Sequence, residues 1–209
     1  MSERTSNIQK IRKLISFEEN SFYFVQIIKR RKDFGNSDME KGERVIKSYY
    51  IDSFESYDKL VPMMVDLADQ NNARVYINLN KRSYEKVCVD MIKYLADALS
   101  NKQYHSARTA FDKIAGKNRA DKQKKWVIDV DIKSKSLSEE IEYYIDNEKP
   151  EGKKCLGILD TPNGYHMIVK PFDPREFSKK YPDCEIKKDN PTILYCPDME
   201  FYVTSKNKK

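Results

Sequence analysis

The chain has little from which to build a zinc site or a disulfide framework: 209 residues contain only four cysteines and two histidines. Cys88, Cys155, Cys184 and Cys196 are scattered, with no CxxC spacing, which argues against the usual structural zinc arrangements. They read instead as free thiols of an intracellular protein. No stretch approaches the roughly 18 apolar residues that a membrane span needs. The opening residues, MSERTSNIQKIRKL, lack the apolar segment of a secretory signal, so a cytoplasmic location is expected. Internal repeats and low-complexity segments are also missing, which excludes solenoids and arrays.

What is present suits one domain, or one compact core with a helical appendage: 39% hydrophobic and 34% charged residues. The net charge is +6, with a sequence pI near 8.9. Much of the excess lies in clusters at 29–32, 122–125, 187–188 and 206–209. Such a balance agrees with a polyanionic partner. Each cluster alone reads more readily as solvated surface, and only convergence on one groove would make a nucleic-acid track.

Aromatic and β-branched residues over 22–29 predict a strand, and the Gly/Asn/Ser/Asp-containing stretch 32–42 a loop before a second strand at 45–51. Ser53 is placed to cap a helix reaching about residue 70, with Leu60, Met63, Met64 and Leu67 at helical spacing. A strand over 74–79 follows. Ser83 then caps a helix with Val87, Met91, Ile92, Leu95 and Leu99 as its apolar stripe. Residues 104–115 predict another helix and 116–125 a basic linker. After a strand at 126–133, a helix over 138–146 is expected with Ser138 as cap, and 155–159 and 165–169 should pair. Asp173 is placed to cap a short helix with Pro174 at its first position. Strands are expected at 185–188, 192–196 and 201–204. The pattern predicts an α+β fold.

Two segments carry the chemistry. The strand WVIDVDIK, 126–133, sets Asp129 and Asp131 two residues apart, so both carboxylates share a face, roughly 7 Å apart along the backbone. Ile128, Val130 and Ile132 take the other face, and a half-solvated antiparallel strand would show the same alternation. Adjacent like charges favour a compensating ion, and Mg²⁺ or Mn²⁺ accepts carboxylates while still binding phosphates. In LDTPNGYHMIVK, 159–170, a Thr161-Pro162-Asn163-Gly164 turn feeds a strand with His166 near its start. Gly164 removes side-chain bulk where a ligand would approach. Lys170, two strand steps past His166, is placed on the same face, where it would reach a triphosphate. Thr161 and Asn163 also suit hydrogen bonding inside the turn. Arg82, before a helix N-terminus, suits a template phosphate, although the Ser83 cap explains that junction by itself.

An acid–hydrophobe–acid strand followed by small-x-His, here Gly164-Tyr165-His166, resembles the archaeo-eukaryotic primase superfamily, the primase-polymerases, over roughly residues 74–195. The resemblance implies an RRM-like catalytic sheet after residue 126 and an N-terminal αβ portion before it. It implies that Asp129 and Asp131 hold catalytic Mg²⁺ or Mn²⁺ and that His166 contacts the phosphates of the incoming nucleotide. Lys170, Gly164 and Asn163, by their placement on the strand and turn, are the nucleotide-binding candidates beside it. The family's third motif, a hydrophobic residue followed by an acid, is matched nearest by Cys184-Glu185, which makes Glu185 the third metal ligand; Asp189 and Asp198 are rivals. The implied activity is metal-dependent nucleotidyl transfer on a single-stranded template. Nucleoside triphosphates are the implied substrates, and a helicase or accessory replication protein a potential partner. A small stand-alone domain of this kind suits a bacterial cell or a phage-infected host.

Two other readings stand beside it. Asp129, Asp131 and Lys133 share one strand face, and Asp131-Ile132-Lys133 is the acid-x-Lys triplet of metal-dependent nucleases, in which the lysine assists the attacking water. That reading leaves the Asn-Gly-Tyr-His segment without a task. The third is a primase-like fold that binds nucleotide or nucleic acid without turnover.

Overall fold

The computed structural model describes residues 4–30, 42–117 and 124–197. The expected strand at 201–204, the tail cluster 206–209, Asp198, Arg31, Lys32, Lys122 and most of the loop 32–42 lie outside them.

Two antiparallel sheets organise the α+β fold. The larger runs β1 (Thr5–Ser6), β10 (Thr192–Cys196), β4 (Arg74–Ile77), β2 (Ser21–Arg30), β3 (Glu43–Ile51), with β5 (Arg82–Ser83) paired to β2. The smaller runs β7 (Cys155–Asp160), β8 (Tyr165–Val169), β6 (Trp126–Val130), β9 (Cys184–Lys187). With α5 (Lys135–Asn147) between β6 and β7, and the short α6 (Phe177–Lys180) between β8 and β9, the smaller unit is a βαββαβ arrangement. Its first strand lies between the third and fourth, the split βαβ pattern of RRM-like sheets.

The local reasons are legible. Alternation along β2 sends Tyr23, Val25 and Ile27 into a core with α1 (Ile8–Leu14) and α2 (Phe54–Asn71), and Phe22 and Phe24 to the other face. There they meet α3 (Tyr84–Ser100) and α4 (Ala110–Lys117). Ser53 and Ser83 cap α2 and α3, accepting hydrogen bonds from the Ser56 and Lys86 amides.

Several expectations need correction. The buried stripe of α2 is Tyr57, Val61, Met64 and Ala68, and Met63 faces solvent. On α3 only Val87 and Ala98 are buried, while Ile92 and Leu99 are exposed, because α4 and a 3-10 turn (Tyr104–Thr109) cover only part of that helix. Ser134, not Ser138, caps α5; Ser138 is buried inside the helix and donates to the Lys135 carbonyl. Asp173 caps no helix and instead accepts from the Arg175 amide and guanidinium. Strand β6 ends at Val130, and both its faces are covered along most of its length. Trp126, Ile128 and Val130 pack under α5 and α6, while Val127 joins Ile168 and Leu159 in the core of the larger unit.

After β9 the chain leaves the smaller sheet and returns to the larger one, where Thr192–Cys196 lies between β1 and β4. Two buried asparagines fasten this crossing. The Asn7 amide donates to the carbonyls of Asp160 and Ile193 at 2.8 and 2.9 Å and accepts from the Asp160 amide at 2.9 Å. Asn80 donates to the Lys125 carbonyl and Asp189, at 3.0 Å each, and accepts from the Lys125 amide at 2.7 Å.

Replacing Asn7 by Leu should therefore destabilise the protein by about 3 kcal/mol or more, since buried backbone groups lose their partners and no apolar side chain replaces them. Urea denaturation of Asn7→Leu against wild type checks this; a loss below about 1 kcal/mol would show that water satisfies those groups.

Candidate active site

Registry across the smaller sheet builds the site. Asp129 stands opposite His166 on β8 and opposite Glu185 on β9. Directly paired residues point to one face, so Leu159, His166, Asp129 and Glu185 form a row. The neighbouring row is Gly157, Ile168, Val127 and Lys187. The two rows are apolar toward β7 and polar toward β9, so one face of the sheet provides both a packing surface and a cluster of charges.

Asp129 is the centre of that cluster. His166 Nε2 lies 3.2 Å from its Oδ1, and Lys187 Nζ lies 2.5 Å from Oδ2 and 3.4 Å from Glu185 Oε2. Hydrogen bonding to His166, aided by Lys187 and working against partial burial, holds the Asp129 carboxyl far below the ordinary carboxylate range. Burial alone would lower the Lys187 ammonium, but its contacts with Asp129 and Glu185 prevail and raise it. His166 is itself buried, and its Nδ1 lies 2.8 Å from the hydroxyl of Thr192 on β10. Nε2 donates to Asp129, and Nδ1 meets a hydroxyl that can either donate or accept. A strand of the larger sheet thus orients the histidine of the smaller one.

Asp131 lies just past the end of β6 and is exposed. It joins Asp129, His166, Glu185, Lys187 and Asn163 on the wall of a cleft of about 490 Å³. The far wall belongs to the larger sheet: Ile28 and Arg30 on β2, Arg74 and Tyr76 on β4, Ile193 on β10. These residues continue the β2 face whose other end α3 and α4 cover, so the cleft is the part of that face left open. Arg30 donates to the Tyr76 hydroxyl at 2.9 Å and pairs with Glu43 at 3.3 Å. Sequence reasoning missed Arg74 and Tyr76 as site residues and held Arg30 only as a member of the 29–32 basic cluster. The available signal was arginine at the ends of two otherwise apolar strands.

The remaining candidates lie elsewhere or are already engaged. Lys170 is exposed beyond the end of β8, separated from His166 by buried Ile168, and it does not line the cleft. The lysine beside His166 is Lys187. Lys133 opens on a different pocket, of about 650 Å³, with Ser134, Thr161 and Gly164. The Gly164 amide donates to Thr161 Oγ1 at 3.0 Å and so is spent inside the turn. The glycine is required for another reason: a Cβ there would lie 1.8 Å from the Val130 carbonyl oxygen. Asp189 receives Arg82 at 3.2 Å and Asn80 at 3.0 Å. Arg82 is fully buried and also donates to the Ala115 and Asn80 carbonyls, so neither residue of this ion pair opens on the cleft. The basic clusters are split likewise. Lys125 hydrogen-bonds to Leu79 and Asn80, and Lys188 lies over the Trp126 ring. Arg30 and Lys187 reach the cleft.

The donor chemistry suits a hard divalent ion, because Asp129, Asp131 and Glu185 supply carboxylate oxygens to one cleft. Among the described residues no group of three His, Cys, Asp or Glu side chains is gathered tightly enough to hold a metal. The Lys187 ammonium lies between Asp129 and Glu185 and compensates their charge. No helix among the described residues is long and apolar enough to cross a membrane. Compared with protein-family models, curated proteins and solved structures, the chain matches none.

Two outcomes are expected. Gly164→Ala should lower the melting temperature by at least several degrees, since the obstructing atoms are backbone and cannot rotate away; an unchanged transition would contradict the close approach. Asp129 has a depressed folded pKa, so its stabilisation is complete above the unfolded value of about 3.9 and is lost as pH falls toward the folded value. The stability gap between wild type and Asp129→Asn should thus be wide near neutrality and narrow below about pH 4, as measured by urea unfolding at each pH.

Proposed function

We propose that the protein is a metal-dependent nucleotidyltransferase of the primase-polymerase type, extending a chain on a single-stranded template. The observation that carries the reading is the cleft itself. A row of acids with a histidine forms one wall and two arginines the other, around a volume within the ~300–1,000 Å³ of small-molecule sites. A triphosphate brings negative charge that arginines accept, and an attached divalent ion that carboxylates accept.

Asp129 and Asp131, with Glu185, would hold Mg²⁺ or Mn²⁺, which supplies charge neutralisation at the reacting phosphate and eases ionisation of the attacking hydroxyl. The chain's own residues do the rest. His166, held at Nδ1 by Thr192, would pass its Nε2–H from Asp129 Oδ1 to a phosphate oxygen once an ion occupies that carboxylate. Arg30 and Arg74 face it from β2 and β4 and neutralise the remaining phosphate charge. Tyr76, anchored by its hydrogen bond to Arg30, borders the space left for the nucleoside. Asn163, at the tip of the turn, is an exposed polar contact at the rim. Asp131, unlike Asp129, is exposed and so accessible to a ligand arriving from solvent.

Labelled-nucleotide incorporation on single-stranded template with Mg²⁺ or Mn²⁺ tests the reading. Asp129→Ala and Asp131→Ala should each reduce incorporation by roughly 10²-fold or more. His166→Ala should weaken triphosphate binding more than template binding. Nucleotide-independent cleavage of the template that requires Lys133 and ignores His166 would replace this reading with a nuclease.

A further inference from the structure

We propose that Lys187 is a built-in counter-cation, which a divalent ion must displace before it can bind Asp129 and Glu185. The inference rests on the metal-dependent reading above and adds a residue that controls access to the same carboxylates.

The placement follows from strand geometry. Glu185 and Lys187 are two residues apart on β9, so their side chains leave the same face, and Asp129 is registered between them and His166. Both Asp129 oxygens are thereby engaged, Oδ1 by His166 and Oδ2 by Lys187. The ammonium also lies 3.4 Å from Glu185 Oε2 and so spans two carboxylates that would otherwise face each other without compensation.

This ion pair is more than a solvated surface contact. The Asp129 side chain is 20% exposed and that of Lys187 23%. A carboxylate ligand lies about 2.0–2.1 Å from Mg²⁺, so an ion on Oδ2 from the same side takes the space that Nζ occupies at 2.5 Å. Two cations on that oxygen repel each other with little screening in a partly buried site, so each disfavours the other. The lysine can leave, because its ammonium is a point charge on a flexible four-carbon stem. It moves into a cleft that it already lines and that also holds His166 and Arg30. Metal entry therefore exchanges one cation for another and leaves the freed ammonium beside whatever anion the cleft receives.

The test measures Mn²⁺ directly, through loss of the free-ion paramagnetic resonance signal, with the full chain and no nucleotide. Lys187→Met keeps most of the apolar stem and removes the charge, and should bind Mn²⁺ roughly tenfold or more tighter than wild type. Lys187→Arg keeps the charge and should remain close to wild type. Adding Asp129→Asn to Lys187→Met should abolish the gain. If the Met variant does not fold, Lys187→Gln provides the same comparison with a neutral donor. Wild-type Mn²⁺ binding with equal or weaker binding by the uncharged variants overturns the inference and leaves the metal site standing. No Mn²⁺ binding by folded wild type or by either uncharged variant overturns both.

Discussion

Two buried side-chain amides, Asn7 and Asn80, hold the two sheets in register with each other, and the cleft exists because they do. Asn7 joins Asp160 of the smaller sheet to Ile193 of the larger one, and Asn80 binds Lys125 and Asp189, just before β6 and just after β9. Apolar packing alone would be indifferent to small rotations, since contacts such as Val127 and Ile168 against the larger core are non-directional. Hydrogen bonds below 3 Å are directional, and breaking them inside a core leaves groups that water cannot reach. The relative placement of the β6–β9 row and the arginines of β2 and β4 is therefore a polar decision made at some distance from the site.

The site is in electrostatic tension by construction. Asp129, Asp131 and Glu185 concentrate negative charge at one end of a sheet face whose other end is apolar, and Lys187, Arg30 and Arg74 surround it with positive charge. A partly dry cleft strengthens each of these interactions. The histidine belongs to neither camp: Thr192 fixes its ring from the opposite sheet, so its orientation does not depend on which cation Asp129 receives.

Much of the fold could be read locally. The β2–β3 hairpin, the Ser53 and Ser83 caps, the β7–β8 pair and the order of elements after residue 126 all rest on short-range patterns that the structure repeats. The errors share a cause. Choosing Ser138 over Ser134 as a cap, or Met63 over Val61 as a core residue, turns on which neighbour covers a helix, and sequence spacing does not contain that information. The acids and His166 were found because two strands carry them in compact motifs. Arg74 was not, and Arg30 was seen only within a basic cluster, because the two meet only when β2 and β4 pair across more than forty residues. Lys187 was visible as part of a basic pair. The signal that separates it from Lys188 is the alternation that places it, and not its neighbour, on the face of Glu185 and Asp129.

The return of β10 to the larger sheet has a consequence for how the chain is made. The smaller sheet has all its strands once Lys187 exists, whereas the larger one has a gap between β1 and β4 until Thr192–Cys196 arrives. On a ribosome, where the N-terminal part emerges first, the strands made earliest cannot close their own sheet. The acidic row can be assembled before the wall that faces it, and the residue that orients His166 arrives with the same late strand. Synthesis therefore completes the larger sheet and the histidine's alignment in one step.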